Sequence, residues 1–215
     1  TLSAANSIQL DISATTSNAL HVINLGAGND TVTLDNIALD SGTIAGGAGT
    51  DTLVLTANTG SGSITTVATL TGFETVNFAT AGVAGAFKVT VRDENVAAGV
   101  TQTINGSNLT GTLLWNGAAE LDGRFSITGG IGADSLTGGS LVDTISAGLG
   151  DDVITGGAGA DVLTGGLGAD TFIYTSGGTT LGSNIAHSNS ANTDSITDFV
   201  SGTDKLQVTL DYSMV

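Results

Sequence analysis

The chain has no cysteine, no proline, four basic residues and few aromatics among its 215 residues. The missing cysteines exclude disulfides, thiolate metal sites and cysteine nucleophiles together. Twenty acidic residues against four basic ones give a formal charge of −16, which argues against nucleic acid as a partner. Aromatics make up 4% of the chain and do not dominate its core. No apolar run approaches the roughly 20 residues that cross a bilayer as a helix, so no transmembrane segment is expected, and no basic stretch followed by an apolar one reads as a leader. The first residue is Thr, which suggests a segment of a longer chain.

What the chain has in excess is glycine, 33 residues of it, together with Thr, Ala and Val. That mixture fits many short strands joined by tight turns, and predicts an all-β fold. Seventeen of the acids are Asp, the shorter carboxylate that turns favour. An acidic excess of this size either stays solvated in a disordered tail or is neutralised by bound cations. The positive mean hydropathy argues against the tail.

A nine-residue register runs through the C-terminal half as GGIGADSLT, GGSLVDTIS, AGLGDDVIT, GGAGADVLT and GGLGADTFI, starting at Gly129, Gly138, Ala147, Gly156 and Gly165. The sixth place is Asp in all five copies: Asp134, Asp143, Asp152, Asp161 and Asp170. The eighth is always large and apolar: Leu136, Ile145, Ile154, Leu163 and Phe172. Two weaker copies, LGAGNDTVT and GGAGTDTLV, lie upstream and carry Asp30 and Asp51 at a spacing of 21. Short alternating runs recur between and after them, as in FKVTV, where Phe87, Val89 and Val91 face one way and Lys88, Thr90 and Arg92 the other. HVINL, TLVLT, SITTVATL, ETVNFAT, TQTIN and GTLLWNG read the same way.

The repeat has a physical reason. Six residues turn the chain and three form a strand. The turn glycines (Gly130, Gly132, Gly148, Gly150, Gly157, Gly159, Gly166 and Gly168) permit positive φ, so that carbonyls point inward, where other residues would lose about 1 kcal/mol or more each. Carbonyls and carboxylates are hard oxygen ligands of the kind calcium gathers in groups of six to eight. Two units complete one coil of 18 residues, so alternate turns stack at the roughly 4.8 Å spacing of paired strands. Asp134, Asp152 and Asp170 then share one edge, and Asp143 and Asp161 the other. Three sandwiched ions are expected in this block, with a fourth between Asp30 and Asp51. Without cations the stacked carboxylates repel, so the coil should fold when calcium is present. Leu141 stands where the second turn's third glycine belongs, and Ala147 opens the third unit. The site between Asp143 and Asp161 is therefore expected to bind weakest or to stay empty.

GGxGxDxUx, with U large and apolar, resembles the RTX calcium-binding repeat of the parallel β-roll. The resemblance implies calcium-dependent folding after export by type I secretion. DSITDFVSGTDKL is similar to the segment that caps such rolls, which would make Asp194, Asp198 and Asp204 either ligands or turn formers. TLTGFETVNFAT and SNLTGTLLWNGAAELDGRFSITGG resemble the calcium-binding portions of bacterial S-layer proteins of the RTX type.

The remaining residues suggest little chemistry. His21 and His187 lack any HExxH-like spacing, no GxSxG elbow is present, Trp115 reads as a core side chain, and Glu120 and Asp122 read as strand residues that do not share a substrate. The expected organisation is a β-rich region over 1–128 with two RTX-like turns, a β-roll over 129–175, and a loop with capping strands over 176–215. The expected function is that of a non-enzymatic, calcium-binding structural domain of a secreted cell-surface protein that self-associates into a lattice, with a cell-surface polysaccharide as a further candidate partner. The rival expectation is an accessory module of a secreted enzyme or toxin, or an adhesin.

Overall fold

A computed structural model of the chain describes residues 4–11, 21–35, 42–56, 69–79, 86–175, 188–189 and 192–209. They form a two-walled parallel β-roll, as the repeat spacing predicts. Nine parallel strands make one sheet, in the order Ser7–Asp11, Thr31–Asp35, Thr52–Thr56, Thr75–Phe78, Thr101–Asn105, Arg124–Thr128, Thr144–Leu149, Val162–Leu167 and Ser195–Ile196. Facing it are a three-stranded sheet (His21–Asn24, Gly42–Ala45, Thr69–Thr71) and a six-stranded one (Phe87–Thr90, Leu113–Asn116, Ser135–Thr137, Val153–Thr155, Thr171–Thr175, Lys205–Thr209). The chain thus alternates between two walls and climbs one rung per circuit.

The period-2 pattern decides which side chains enter. Leu136, Ile154 and Phe172 stack from one wall and Ile145 and Leu163 from the other, all buried, so every eighth-place residue of the repeat lies in the core. Val32, Leu34, Leu53, Leu55, Val76, Phe78 and Ile104 continue the same core upstream. Phe87, Val89 and Val91 point inward while Lys88 and Arg92 face out. Each large side chain buried this way contributes about 1.5–3 kcal/mol, which lets a coil with few aromatics hold together.

Rung length changes along the chain while the pairing continues. Equivalent residues of the long sheet are 24, 21 and 23 apart upstream, 18 apart in the repeat block and 33 apart at the capping end. The long sheet crosses position 128 through the parallel pair Arg124–Thr128 and Thr144–Leu149. In the 18-residue rungs, as in the 21-residue rung of Gly47 and Gly49, a methyl group added to a turn glycine would strike the backbone of the neighbouring turn. Of the stretch expected to be a loop, 176–187 and 190–191 lie outside the described residues, and Ser188–Asn189 pairs antiparallel with Asn192–Thr193. Part of SITTVATL also lies outside them.

Candidate metal centre

Each repeat aspartate ends its turn immediately before a strand, and the strand register brings these positions into two ladders. On the edge entering the six-stranded sheet, the backbone N–H of Leu113 donates to Asp134 Oδ1, that of Asp134 to Asp152 Oδ1, that of Asp152 to Asp170 Oδ1, and that of Asp170 to Asp204 Oδ1, at 2.7–3.1 Å. On the edge entering the long sheet, Phe125 donates to Asp143 Oδ1, Asp143 to Asp161 Oδ1 and Asp161 to Asp194 Oδ1, at 2.7–2.9 Å. The division expected from the 18-residue coil is the one observed. One carboxylate oxygen per residue is thus committed to the neighbouring rung.

Upstream, Asn6 donates its N–H to Asp30 Oδ1, Asp30 to Asp51 Oδ1 and Asp51 to Glu74 Oε2, each at 2.7 Å. The parallel pairing of the long sheet places all these residues on the edge of Asp143 and Asp161. The ladder there reads Asn6, Asp30, Asp51, Glu74, Gln102, Phe125, Asp143, Asp161, Asp194. Sequence reasoning missed Asn6, Glu74 and Gln102 because their rungs lack the glycine pattern. The signal that could have found Asn6 and Glu74 is a polar residue immediately before a strand, as in NSIQL and ETVNF, whereas Gln102 lies inside the strand Thr101–Asn105.

The second carboxylate oxygen separates two kinds of turn. In the turns ending at Asp134 and Asp143, Oδ2 accepts the N–H of Gly130 at 2.7 Å and of Gly139 at 2.6 Å. Asp204 is closed likewise, its Oδ2 taking the N–H of Val200 at 2.8 Å. In the turns ending at Asp30, Asp51, Asp152, Asp161 and Asp170, Oδ2 is buried without a hydrogen-bond partner. These five open turns carry their second- and fourth-place glycines at positive φ: Gly26 and Gly28, Gly47 and Gly49, Gly148 and Gly150, Gly157 and Gly159, Gly166 and Gly168. Gly130 and Gly132 do not adopt positive φ, contrary to the expectation that every repeat glycine would. The turn of Gly129–Asp134 retains all three glycines and is closed as well, so closure does not require a departure such as Leu141. Closure coincides with position: Asp134 and Asp143 begin the repeat block on their edges, and Asp204 ends the ladder of Asp134.

The open turns fit a hard cation. Carbonyls of one turn face the next so closely that a methyl group on Gly166 or Gly168 would overlap the carbonyl oxygen of Gly148 or Gly150. A methyl group on Gly47 or Gly49 would likewise overlap the carbonyl oxygen of Gly26 or Gly28. Burial raises the carboxyls above their ordinary range: Asp143 and Asp152 to about 6 and Asp161 to about 7, with Asp51, Asp134 and Asp170 also raised. Burial is the largest cause in every case, and neighbouring carboxylates add to it for Asp51, Asp143, Asp152, Asp161 and Asp170, with Arg124 partly opposing it at Asp143. Orphaned buried oxygens and unneutralised carboxylates are what a divalent cation satisfies.

The capping residues divide. Asp194 and Asp204 extend the ladders. Asp198 stands beside the last turn, its Oδ1 and Oδ2 accepting the N–H groups of Gly165 and Gly166 at 3.0 and 2.7 Å. Trp115 is buried edge-on against Phe125, with ring centroids 5.7 Å apart. His21 lies in the strand His21–Asn24, and His187 lies outside the described residues. Glu120 and Asp122 are not strand residues. They belong to the turn between Leu113–Asn116 and Arg124–Thr128, and their carboxylates converge.

Residues 126–140 and 137–172 match the RTX calcium-binding nonapeptide repeat, in four copies. The chain therefore carries RTX repeats, and these imply calcium binding. No curated protein sequence matches the chain.

Proposed function

We propose that the chain is a non-enzymatic structural segment of a secreted cell-surface protein of the S-layer kind, which folds and self-associates when calcium outside the cell fills its turns. The observation that carries this reading is the pairing of open turns in register, Asp152 with Asp170 and Asp30 with Asp51. Calcium held there takes the free carboxylate oxygens of each pair and the facing glycine carbonyls. It supplies the positive charge that the ladders lack. Ions between Asp134 and Asp152, and between Asp143 and Asp161, draw on one open and one closed turn. They bind more weakly, because Gly130 and Gly139 must first release their carboxylate.

Self-association has its own support. Ile131, Leu149 and Leu167 occupy the third place of successive turns on one edge and are 51%, 42% and 72% exposed. An apolar stripe beside a calcium column is a surface that ion binding would order for contact with another molecule. RTX repeat proteins are typically secreted, and among the described residues no helix is long and apolar enough to cross a membrane.

Circular dichroism with calcium, then with chelator, tests the folding switch: β structure should appear and vanish, and unchanged spectra would reject it. Electron microscopy in millimolar calcium tests the lattice. Sheets that are lost in a Leu149→Ser, Leu167→Ser variant support it, whereas a chain that stays monomeric at every calcium concentration favours an accessory module of a secreted enzyme.

A further inference from the structure

Between Asp51 and Asp143, the edge that carries Asp30 and Asp51 at one end and Asp143 and Asp161 at the other has three turns without the RTX glycine pattern, 72–74, 91–100 and 117–123. The last two stack. Leu121 N–H donates to Asp93 Oδ1 at 2.9 Å, Gly99 N–H to the carbonyl of Asp122 at 2.7 Å, and Ser140 N–H, from the next turn along, to the carbonyl of Glu120 at 3.0 Å. The stacking gathers three carboxylates. One oxygen from each of Asp93, Glu120 and Asp122 lies within 4.8 Å of the other two.

Acidic clusters are common on a surface as negative as this one, and the feature that sets this cluster apart is Glu120. Its side chain is 0% exposed. Oε1 accepts the N–H groups of Gly123 at 2.8 Å and Asp122 at 3.3 Å, which locks the carboxylate in place, while Oε2 is buried with no hydrogen-bond partner. A buried carboxylate oxygen without a partner is costly unless a donor or a cation satisfies it. No basic side chain does so: among the described residues the one ion pair joins Arg92 to Glu94 at 3.8 Å, and Arg124 Nη1 donates to the carbonyl of Gly99 at 3.4 Å. Asp93 and Asp122 are exposed, so the cluster opens to solvent on one side and water can complete a coordination shell.

We infer that Asp93, Glu120 and Asp122 form a calcium site outside the nonapeptide repeats, which staples the 91–100 turn to the 117–123 turn. Three carboxylates with open water positions make a hard-oxygen site that suits calcium's tolerance for six to eight ligands. The site stands on residues separate from those of the RTX turns. It extends a cation column along the edge where the glycine pattern lapses.

The test counts bound calcium on the full chain by equilibrium dialysis in calcium chloride at fixed free calcium. Glu120→Gln retains an acceptor for the Gly123 N–H and removes the charge. It should bind one ion fewer per chain than wild type, with the circular dichroism spectrum in calcium preserved. Should that variant misfold, Asp93→Asn with Asp122→Asn, both at exposed positions, should lose the same single ion. An unchanged count in a folded variant overturns the inference. An Asp152→Asn, Asp170→Asn variant measured alongside separates this outcome from failure of the RTX reading, since that reading fails if this second count is unchanged.

Discussion

At the scale of the residue, the deciding feature is how each carboxylate divides its two oxygens. Oδ1 is always spent on the N–H of the preceding rung, so that bond cannot distinguish one site from another. Oδ2 is either closed by its own turn, as in Asp134, Asp143 and Asp204, or left open, as in Asp152 and Asp170. Asp170→Asn should therefore weaken calcium binding by about tenfold or more, because a neutral amide replaces a charged ligand. Asp204→Asn, whose oxygens both accept N–H groups, should change it far less. Calorimetric titration of the two variants checks the contrast. Glycine separates the same way. Gly202 at φ +93 has open space around its Cα, so Gly202→Ala should cost about 1 kcal/mol in a melt with calcium, the strain of positive φ alone. Gly166→Ala at φ +103 meets the Gly148 carbonyl as well, and should cost clearly more and lower the calcium count.

At the scale of the element, a three-residue strand such as Val153–Thr155 buries a single large side chain. Stability then depends on stacking rather than on any one strand. Leu163 lies between Ile145 and Ile196 in the long sheet's register, so Leu163→Ala opens a cavity that its neighbours cannot close without losing their pairing. A loss of about 2–5 kcal/mol is expected in denaturant unfolding with calcium present. The strands were legible in the sequence because alternation and glycine spacing are local signals. FKVTV, TLVLT and TQTIN are strands as read. The turn holding Glu120 and Asp122 was not legible: the cluster depends on Asp93, which arrives from the preceding circuit, and no spacing within AAELDG encodes it.

At the scale of the molecule, two parallel carboxylate ladders inside a chain of charge −16 couple folding to whatever neutralises them. Protons can do so as well as calcium. The folded carboxyls of Asp143, Asp152 and Asp161 are raised from 3.8 to about 6, 6 and 7. The metal-free native state therefore binds more protons than the unfolded chain between about pH 4 and 7, and its stability falls as pH rises through that window. The calcium-free chain should show β structure near pH 4.5 and lose it by about pH 8, where calcium restores it. Circular dichroism across this range in chelator checks the sign, and a calcium-free chain that gains structure as pH rises would reject it.

The sequence by itself determined the all-β class, the 18-residue coil, the core places and the two aspartate edges, because a nine-residue period repeated in register leaves one way to wind. Tertiary structure alone decided which turns are open. It also decided that Asp30 and Asp51 stand on the edge of Asp143 and Asp161, and that Glu120 meets Asp93. These facts depend on the rung lengths between the repeats and on which N–H groups reach a second oxygen. They are properties of chain segments distant in sequence, and no local pattern records them.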